Sequence, residues 1–158
     1  MSTSSPVTVR TAQRDDVPAI VRLLADDMLG ANRERVQEPV APNYLKAFDE
    51  IAADPRNELI VAVEGSEVIG CLQLTIIPGL SRVGMKRAQL ESVRVSSNHR
   101  GAKVGEQLVL EAIARARVKG CGLVQLTSDS ARIDAQRFYR RLGFVATHVG
   151  MKLSLSQE

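Results

Sequence analysis

The residues best placed to do chemistry lie in one stretch, where Leu90-Glu91-Ser92-Val93-Arg94-Val95 runs through Ser96-Ser97-Asn98-His99-Arg100-Gly101-Ala102-Lys103-Val104-Gly105 into a long amphipathic segment. A strand that enters a glycine-containing turn and then a helix leaves free backbone N–H groups at the positive end of the helix dipole, an arrangement that suits a pyrophosphate. Arg100 and Lys103 add positive charge at the same place. A glycine turn that merely caps a helix is the plainer reading of the same residues. Leu90, Val93 and Val95 break strict two-residue alternation by one position. A β-bulge produces such a slip, and bulges re-aim side chains beside sites. The plainer alternative is a half-buried strand flanked by solvent-facing Glu91 and Arg94. Cys71 and Cys121 lie fifty residues apart without a nearby histidine, and His99 and His148 have no carboxylates at ligand spacing. Neither a metal site nor a nucleophilic triad is expected.

The elements that must position this stretch are legible from periodicity. Val7–Thr11 alternates as a strand, and Val17, Ile20, Val21, Leu24 and Met28 have helical spacing behind Asp15, Asp16 and Pro18. Tyr44, Leu45, Phe48, Ile51 and Ala52 repeat the helical period. Residues 59–63 and 68–77 flank Gly65-Ser66 as an antiparallel hairpin, and Pro78-Gly79 turns the chain into a strand over about 88–95. Val104, Leu108, Val109, Ala112, Ile113 and Ala116 form a wide apolar stripe that stops at Gly120. Residues 123–127 read as a buried strand. Ala135, Phe138, Tyr139 and Leu142 then mark a helix closed by Gly143, and residues 144–149 and 151–155 read as two final strands. The order predicts a single α/β domain over 1–158, with a mixed, mostly antiparallel sheet. The segment from Gly30 to Pro42 reads as a loop long enough to be functional.

Composition narrows the class. At 158 residues, 44% hydrophobic and 25% charged, the chain has the profile of a folded globular protein. No apolar run approaches the 18 or so residues of a membrane span, and residues 1–6 lack the marks of an export signal, so a cytoplasmic location is expected by default. Twenty-one Lys and Arg against eighteen Asp and Glu leave a net charge of +3, which favours an anionic ligand without requiring nucleic acid. Aromatics at 3% leave little from which to build a stacking platform for single strands.

Glu91-Ser92-Val93-Arg94-Val95, Arg100-Gly101-Ala102-Lys103-Val104-Gly105 and Ala135-Gln136-Arg137-Phe138-Tyr139-Arg140-Arg141-Leu142-Gly143-Phe144, in that order, resemble the GNAT superfamily of acetyl-CoA-dependent N-acetyltransferases. The resemblance is strong over about 88–149 and rests on element order before that. It implies a central sheet of about seven strands with splayed central strands and about four flanking helices. Acetyl-CoA would be the acyl-donor cosubstrate, with no metal, and a small-molecule or peptide primary amine the acceptor. The implied mechanism is direct attack in a ternary complex, with Glu91 as general base and Tyr139 as the acid that protonates the departing thiolate. A surface carboxylate and a core aromatic are the respective alternatives. The backbone of Val93 and Val95 would hold the pantetheine arm and the amides of Arg100, Gly101, Ala102, Lys103, Val104 and Gly105 the pyrophosphate. Arg94, Arg132, Asp134 and Arg137 would be further cofactor contacts.

Two departures carry expectations of their own. Lys103 stands where the family has a glycine, so an ordinary backbone conformation is expected there. Arg132 stands where many members have asparagine, which suggests a charged contact to the cofactor phosphates. The resemblance also places residues 30–42 and 78–87 over the acceptor mouth, where Arg33, Glu34, Arg35, Glu38, Arg82, Lys86 and Arg87 are of mixed sign and select neither polyamines nor acidic acceptors. A homodimer is implied by the family alone. The rival function is an acyl-CoA-binding sensor or interaction module that keeps the phosphate loop but does not turn over.

Overall fold

Alternating β-branched and apolar residues build an antiparallel meander. Val7–Thr11 (β1) pairs with Asn57–Glu64 (β2), β2 with Glu67–Ile77 (β3), and β3 with Lys86–Val95 (β4), each antiparallel. Gly65, at φ +61°, supplies the positive φ that the tight β2–β3 turn requires. Cys121–Leu126 (β5) follows β4 in the sheet order β1-β2-β3-β4-β5. The β4–β5 connection is a helix, Val104–Val118 (α4), the kind of crossover that joins parallel neighbours and makes the sheet mixed.

The structure is a computed structural model that describes residues 5–156, and it forms two compact units, one running through Gln125 and the other starting at Leu126. No helix among the described residues is long and apolar enough to cross a membrane.

In the first unit the two sheet faces have different coverings. Leu74, Leu90, Ile76 and Ala88 are buried on one face, where register pairs Leu74 with Leu90 and Ile76 with Ala88. The stripe of α4 is buried with them: Val104, Leu108, Val109, Ala112 and Ala116 are each at most 1% exposed. Each fully buried Leu or Val of this kind stabilises by about 1.5–3 kcal/mol relative to an exposed one. Gly70 makes the approach of α4 to the sheet possible, since a Cβ there would lie 2.9 Å from Leu108 Cδ1 and 3.1 Å from the Arg94 carbonyl oxygen. At the far end of α4, Glu58 on β2 receives Arg115 at 2.7 Å and Lys119 at 3.0 Å. Burial alone would raise the Glu58 pKa, but the hydrogen bonds from Arg115 and Lys119 outweigh it and hold the carboxyl below its ordinary value.

The opposite face carries Val17–Ala25 (α1) and Pro42–Ala53 (α2). Ile20 and Leu23 of α1 join Ala12, Val61, Val63 and Cys71 in a buried cluster, with Phe48 of α2 against it. Asp16, at the start of α1, does not cap the helix through its side chain as an N-terminal aspartate commonly does. Its carboxylate instead accepts from Arg10 Nη1 and Nη2, at 2.7 and 3.0 Å, and from the Gln13 amide. The Arg10 hydrogen bond holds its pKa below the usual carboxylate range.

The expected seven strands and four helices are corrected to five strands and five helices among the described residues. The extra helix is Ser81–Gly84 (α3), a single turn between β3 and β4 in which Arg82 and Val83 carry left-handed angles. In the second unit Ile133–Arg141 (α5) forms where the periodicity places it, but residues 144–155, expected as two strands, belong to no regular element. Alternation at Met151, Leu153 and Leu155 states a preference for extended chain. A strand forms only when a partner edge completes its ladder, and sequence pattern does not supply one.

Candidate functional site

The irregularity anticipated in β4 is present. Register runs Ile77 to Arg87, Thr75 to Gln89 and Gln73 to Glu91, and resumes at Cys71 with Arg94. Ser92 and Val93 therefore stand together opposite Leu72, and Ser92 takes a left-handed φ of +54°. Three positions apart, Glu91 and Arg94 would face opposite ways in a regular strand. The extra residue returns both to the face that carries α1 and α2. Glu91 is exposed there. Cys71 is 1% exposed beneath the bulge, with its sulfur 3.7 Å from the Ser92 carbonyl oxygen. Burial pushes the Cys71 thiol up to about 12, so it stays protonated and can donate to that carbonyl.

Arg94, among the residues expected at the cofactor, turns its side chain toward the end of α1. Its Nε lies 3.2 Å from an Asp27 carboxylate oxygen, and one Nη donates to the Val93 carbonyl at 2.9 Å. Asp26 does similar work on the loop after β4, its carboxylate accepting from the Ser97 amide and its carbonyl from Arg100 Nη2, both at 3.1 Å. Arg100 is thus tied to α1 while remaining solvent-exposed. Asp26 and Asp27 are site-positioning residues that sequence reading missed. The signal was available: two acids at a helix C-terminus oppose the macrodipole and imply partners elsewhere.

The loop closes into α4 through Gly101 at φ +86° and Lys103 at φ +61°, ψ +14°. Lys103 was expected in an ordinary conformation, and the structure corrects this. The turn requires a left-handed residue at the N-cap, and lysine adopts it at a cost of about 1–2 kcal/mol. Val104 is buried against the sheet and fixes the first turn, Gly105 is half-buried, and Ala102 is exposed. The first hydrogen bond of the helix runs from the Gln107 amide to the Lys103 carbonyl at 3.0 Å, and no side chain caps this terminus. The amides of Val104, Gly105 and Glu106 are thus the intrahelically unpaired donors that an anion can use. Substituting Lys103→Gly removes the left-handed penalty but adds the flexibility of glycine to the unfolded chain, for a net gain of about 0.5–1 kcal/mol. A melt of the ligand-free variant is expected to show a rise of about 1–4 °C.

Along β4 ahead of the bulge, Arg87, Gln89 and Glu91 share the face opposite α4, as their register partners Ile77, Thr75 and Gln73 require. Gln125 of β5 bridges to them: its Nε2 donates to Gln89 Oε1 at 2.8 Å, and its Oε1 accepts from Arg87 Nη1 at 3.4 Å. This polar row was legible only as alternation with Ala88 and Leu90.

The remaining expected residues belong to the second unit. Tyr139 is half-buried on α5, packed edge-on to Phe138 and Phe144 with ring centroids at 5.1 and 5.7 Å. Arg132 occupies the α5 N-cap position, its carbonyl accepting from Gln136 N at 3.1 Å. Asp134 and Arg137 pair with each other at 3.6 Å on the exposed first turn.

Comparison with known proteins agrees with this architecture. The profile of the acetyltransferase (GNAT) family matches residues 18–144. Glucosamine 6-phosphate N-acetyltransferase of Trypanosoma brucei brucei is 34% identical over 56% of the chain, and aminoalkylphosphonate N-acetyltransferase of Salmonella typhimurium is 32% identical over 60% of it. The chain spans 58% and 61% of those two relatives' own lengths. Among solved structures, a protein described as a transcriptional regulator from Bacillus halodurans C-125 superposes with a TM-score of 0.93 at 49% identity, covering 95% of this chain and all of that one. A putative acetyltransferase from Agrobacterium tumefaciens superposes with a TM-score of 0.81 at 26% identity, covering 93% of this chain and 99% of that one.

Proposed function

The chain belongs to the acetyltransferase (GNAT) family, and from that premise we propose that it transfers an acetyl group from acetyl-CoA to a primary amine by direct attack. The observation that carries the reading is the bulge in β4, which presents Glu91 exposed on one face and lifts the Ser92–Val93 peptide out of regular pairing with β3. Acetyl-CoA supplies the activated thioester. An alkyl amine has a pKa of about 10.4 and is protonated at neutral pH, so a base must take its proton before or during attack. In the proposed mechanism Glu91 takes that proton, directly or through water. A backbone N–H of the bulged strand, with Val95 one candidate, meets the negative charge that develops on the acetyl oxygen, at no reorganisation cost. Tyr139 returns a proton to the departing sulfur.

Binding follows the same elements. The peptide groups of Val93 and Val95 would hold the pantetheine arm, and the loop amides from Arg100 to Gly105 the pyrophosphate. Arg94 and Arg100 shape this loop through Asp27 and Asp26. Arg132, Asp134 and Arg137 would serve the cofactor from α5. The family match covers parts of both units, which supports treating the chain as one acetyltransferase domain; a cytoplasmic location and a homodimer belong to the same proposal. The two curated relatives act, by their names, on glucosamine 6-phosphate and aminoalkylphosphonates, which supports a small-molecule amine as acceptor.

Free-thiol release from acetyl-CoA, followed across a panel of primary amines, tests the reading. Amine-dependent release is expected for at least one acceptor. The relative described as a transcriptional regulator favours, as the second reading, an acyl-CoA sensor, which predicts saturable binding of acetyl-CoA with no amine-dependent release.

A further inference from the structure

We propose that the acceptor amine carries an anionic group, and that Arg87 receives that group on the polar floor formed by Arg87, Gln89 and Glu91. The inference rests on the acetyl-transfer reading for the position of the amine beside Glu91, but its own argument lies in the sheet. Successive same-face residues of a strand are about 6.6–6.8 Å apart, so the Cα atoms of Arg87 and Glu91 are separated by about 13 Å. Their side chains project from one face of β4, with opposite charges at the two ends of the row. A small molecule with an amine at one end and an anion several bonds away matches that pattern of charge.

Arg87 is distinctive among the arginines near the sheet. Arg10, Arg94 and Arg115 each meet a carboxylate, at 2.7, 3.2 and 2.7 Å. Arg87 is half-buried, and its hydrogen bond goes to a neutral amide oxygen, Gln125 Oε1, at the long distance of 3.4 Å. No carboxylate lies within ion-pair distance of it among the described residues. A guanidinium has five N–H donors in a planar fork suited to the oxygens of phosphate, phosphonate or carboxylate. The bridge through Gln125 sets the rest of the floor. Because Gln125 Nε2 donates to Gln89 Oε1, the Gln89 amide nitrogen is left with donors for the same anion. From β3, Thr75 adds no competing charge, its hydroxyl donating to Asn57 Oδ1 at 2.8 Å. The charge count of the surrounding loops is mixed and selects nothing, whereas on this face of the sheet Arg94 is matched by Asp27 and Arg87 meets no carboxylate among the described residues.

The test is equilibrium binding, which needs no turnover. Calorimetric titrations with an ω-aminoalkylphosphonate, the ω-amino carboxylate of equal length and the neutral amino alcohol are run on the full chain in the presence of coenzyme A. Wild type is expected to bind at least one anionic amine about ten- to a hundredfold more tightly than the amino alcohol, and the two anionic arms identify which oxyanion is preferred. In Arg87→Ala that ratio is expected to fall close to one, with Arg87→Lys intermediate and circular dichroism confirming that both variants fold. Equal affinities of the three ligands for wild type, or a preference that survives Arg87→Ala, would overturn the proposal. Failure of the acetyl-transfer reading looks different: the anionic preference persists and depends on Arg87, but when acetyl-CoA replaces coenzyme A no thiol is released with any of the three.

Discussion

Glu91→Gln is expected to lower kcat by about 10²- to 10⁴-fold, the range over which a positioned general base contributes, with little change in the affinity for acetyl-CoA. The substitution keeps the shape and hydrogen-bonding capacity of the side chain and removes only its ability to hold a proton. Glu91 is exposed on the bulged segment of β4, and substitutions at exposed positions generally alter stability by no more than about 0.5 kcal/mol. A loss of rate without a fall in melting temperature is therefore the signature to look for. The deficit should shrink as pH rises toward the amine's own pKa of about 10.4, because free amine then forms without help. Steady-state thiol release at several pH values checks both features. A variant that retains more than about a third of wild-type kcat at neutral pH would remove Glu91 from the mechanism.

The second large effect concerns the platform beneath the phosphate loop. Leu108→Ala is expected to destabilise the protein by about 2–5 kcal/mol through lost burial and the cavity left behind. Leu108 is fully buried, and Gly70 lies directly under it, so no larger side chain can swing into the space. For a chain of this length each kcal/mol moves the midpoint by about 2–4 °C, which gives a fall of about 4–20 °C. Leu110, two residues on and 49% exposed, is the control: Leu110→Ala should stay within about 1–2 °C of wild type. Because α4 carries the loop amides, saturating acetyl-CoA should recover part of the loss, up to about 2.7 kcal/mol at one hundred times its dissociation constant. Comparable melts for the two variants would mean that α4 is not held by its stripe.

Much of this was legible in the sequence because the relevant physics is local. Alternation gave β1 its observed ends, Gly65-Ser66 gave the hairpin, and the break after Leu90 gave the bulge. Those signals are periods and turn chemistry, which a short window contains. The missing features depend on partners distant in the chain. Asp27 meets Arg94 and Asp26 meets Ser97, 71 residues away. Gln125 joins β5 to Gln89, 36 residues back. Residues 144–155 looked like strands for the same reason, since extended propensity is local and the edge that would complete a ladder is not. Lys103 failed in another way: sequence preference forbids the left-handed region to most residues, but a turn whose two ends are fixed by β4 and the buried Val104 imposes it.

The central claim is that the loop from Arg100 to Gly105 and the bulged strand before it bind acetyl-CoA. Its most direct test is the melting temperature of the purified chain with and without saturating acetyl-CoA, with ATP as the control for general phosphate binding. The account predicts a rise of about 5–11 °C at one hundred times the dissociation constant, with little response to ATP. No rise with millimolar acetyl-CoA, or an equal rise with ATP, would contradict it and leave the family resemblance as a statement about the fold alone.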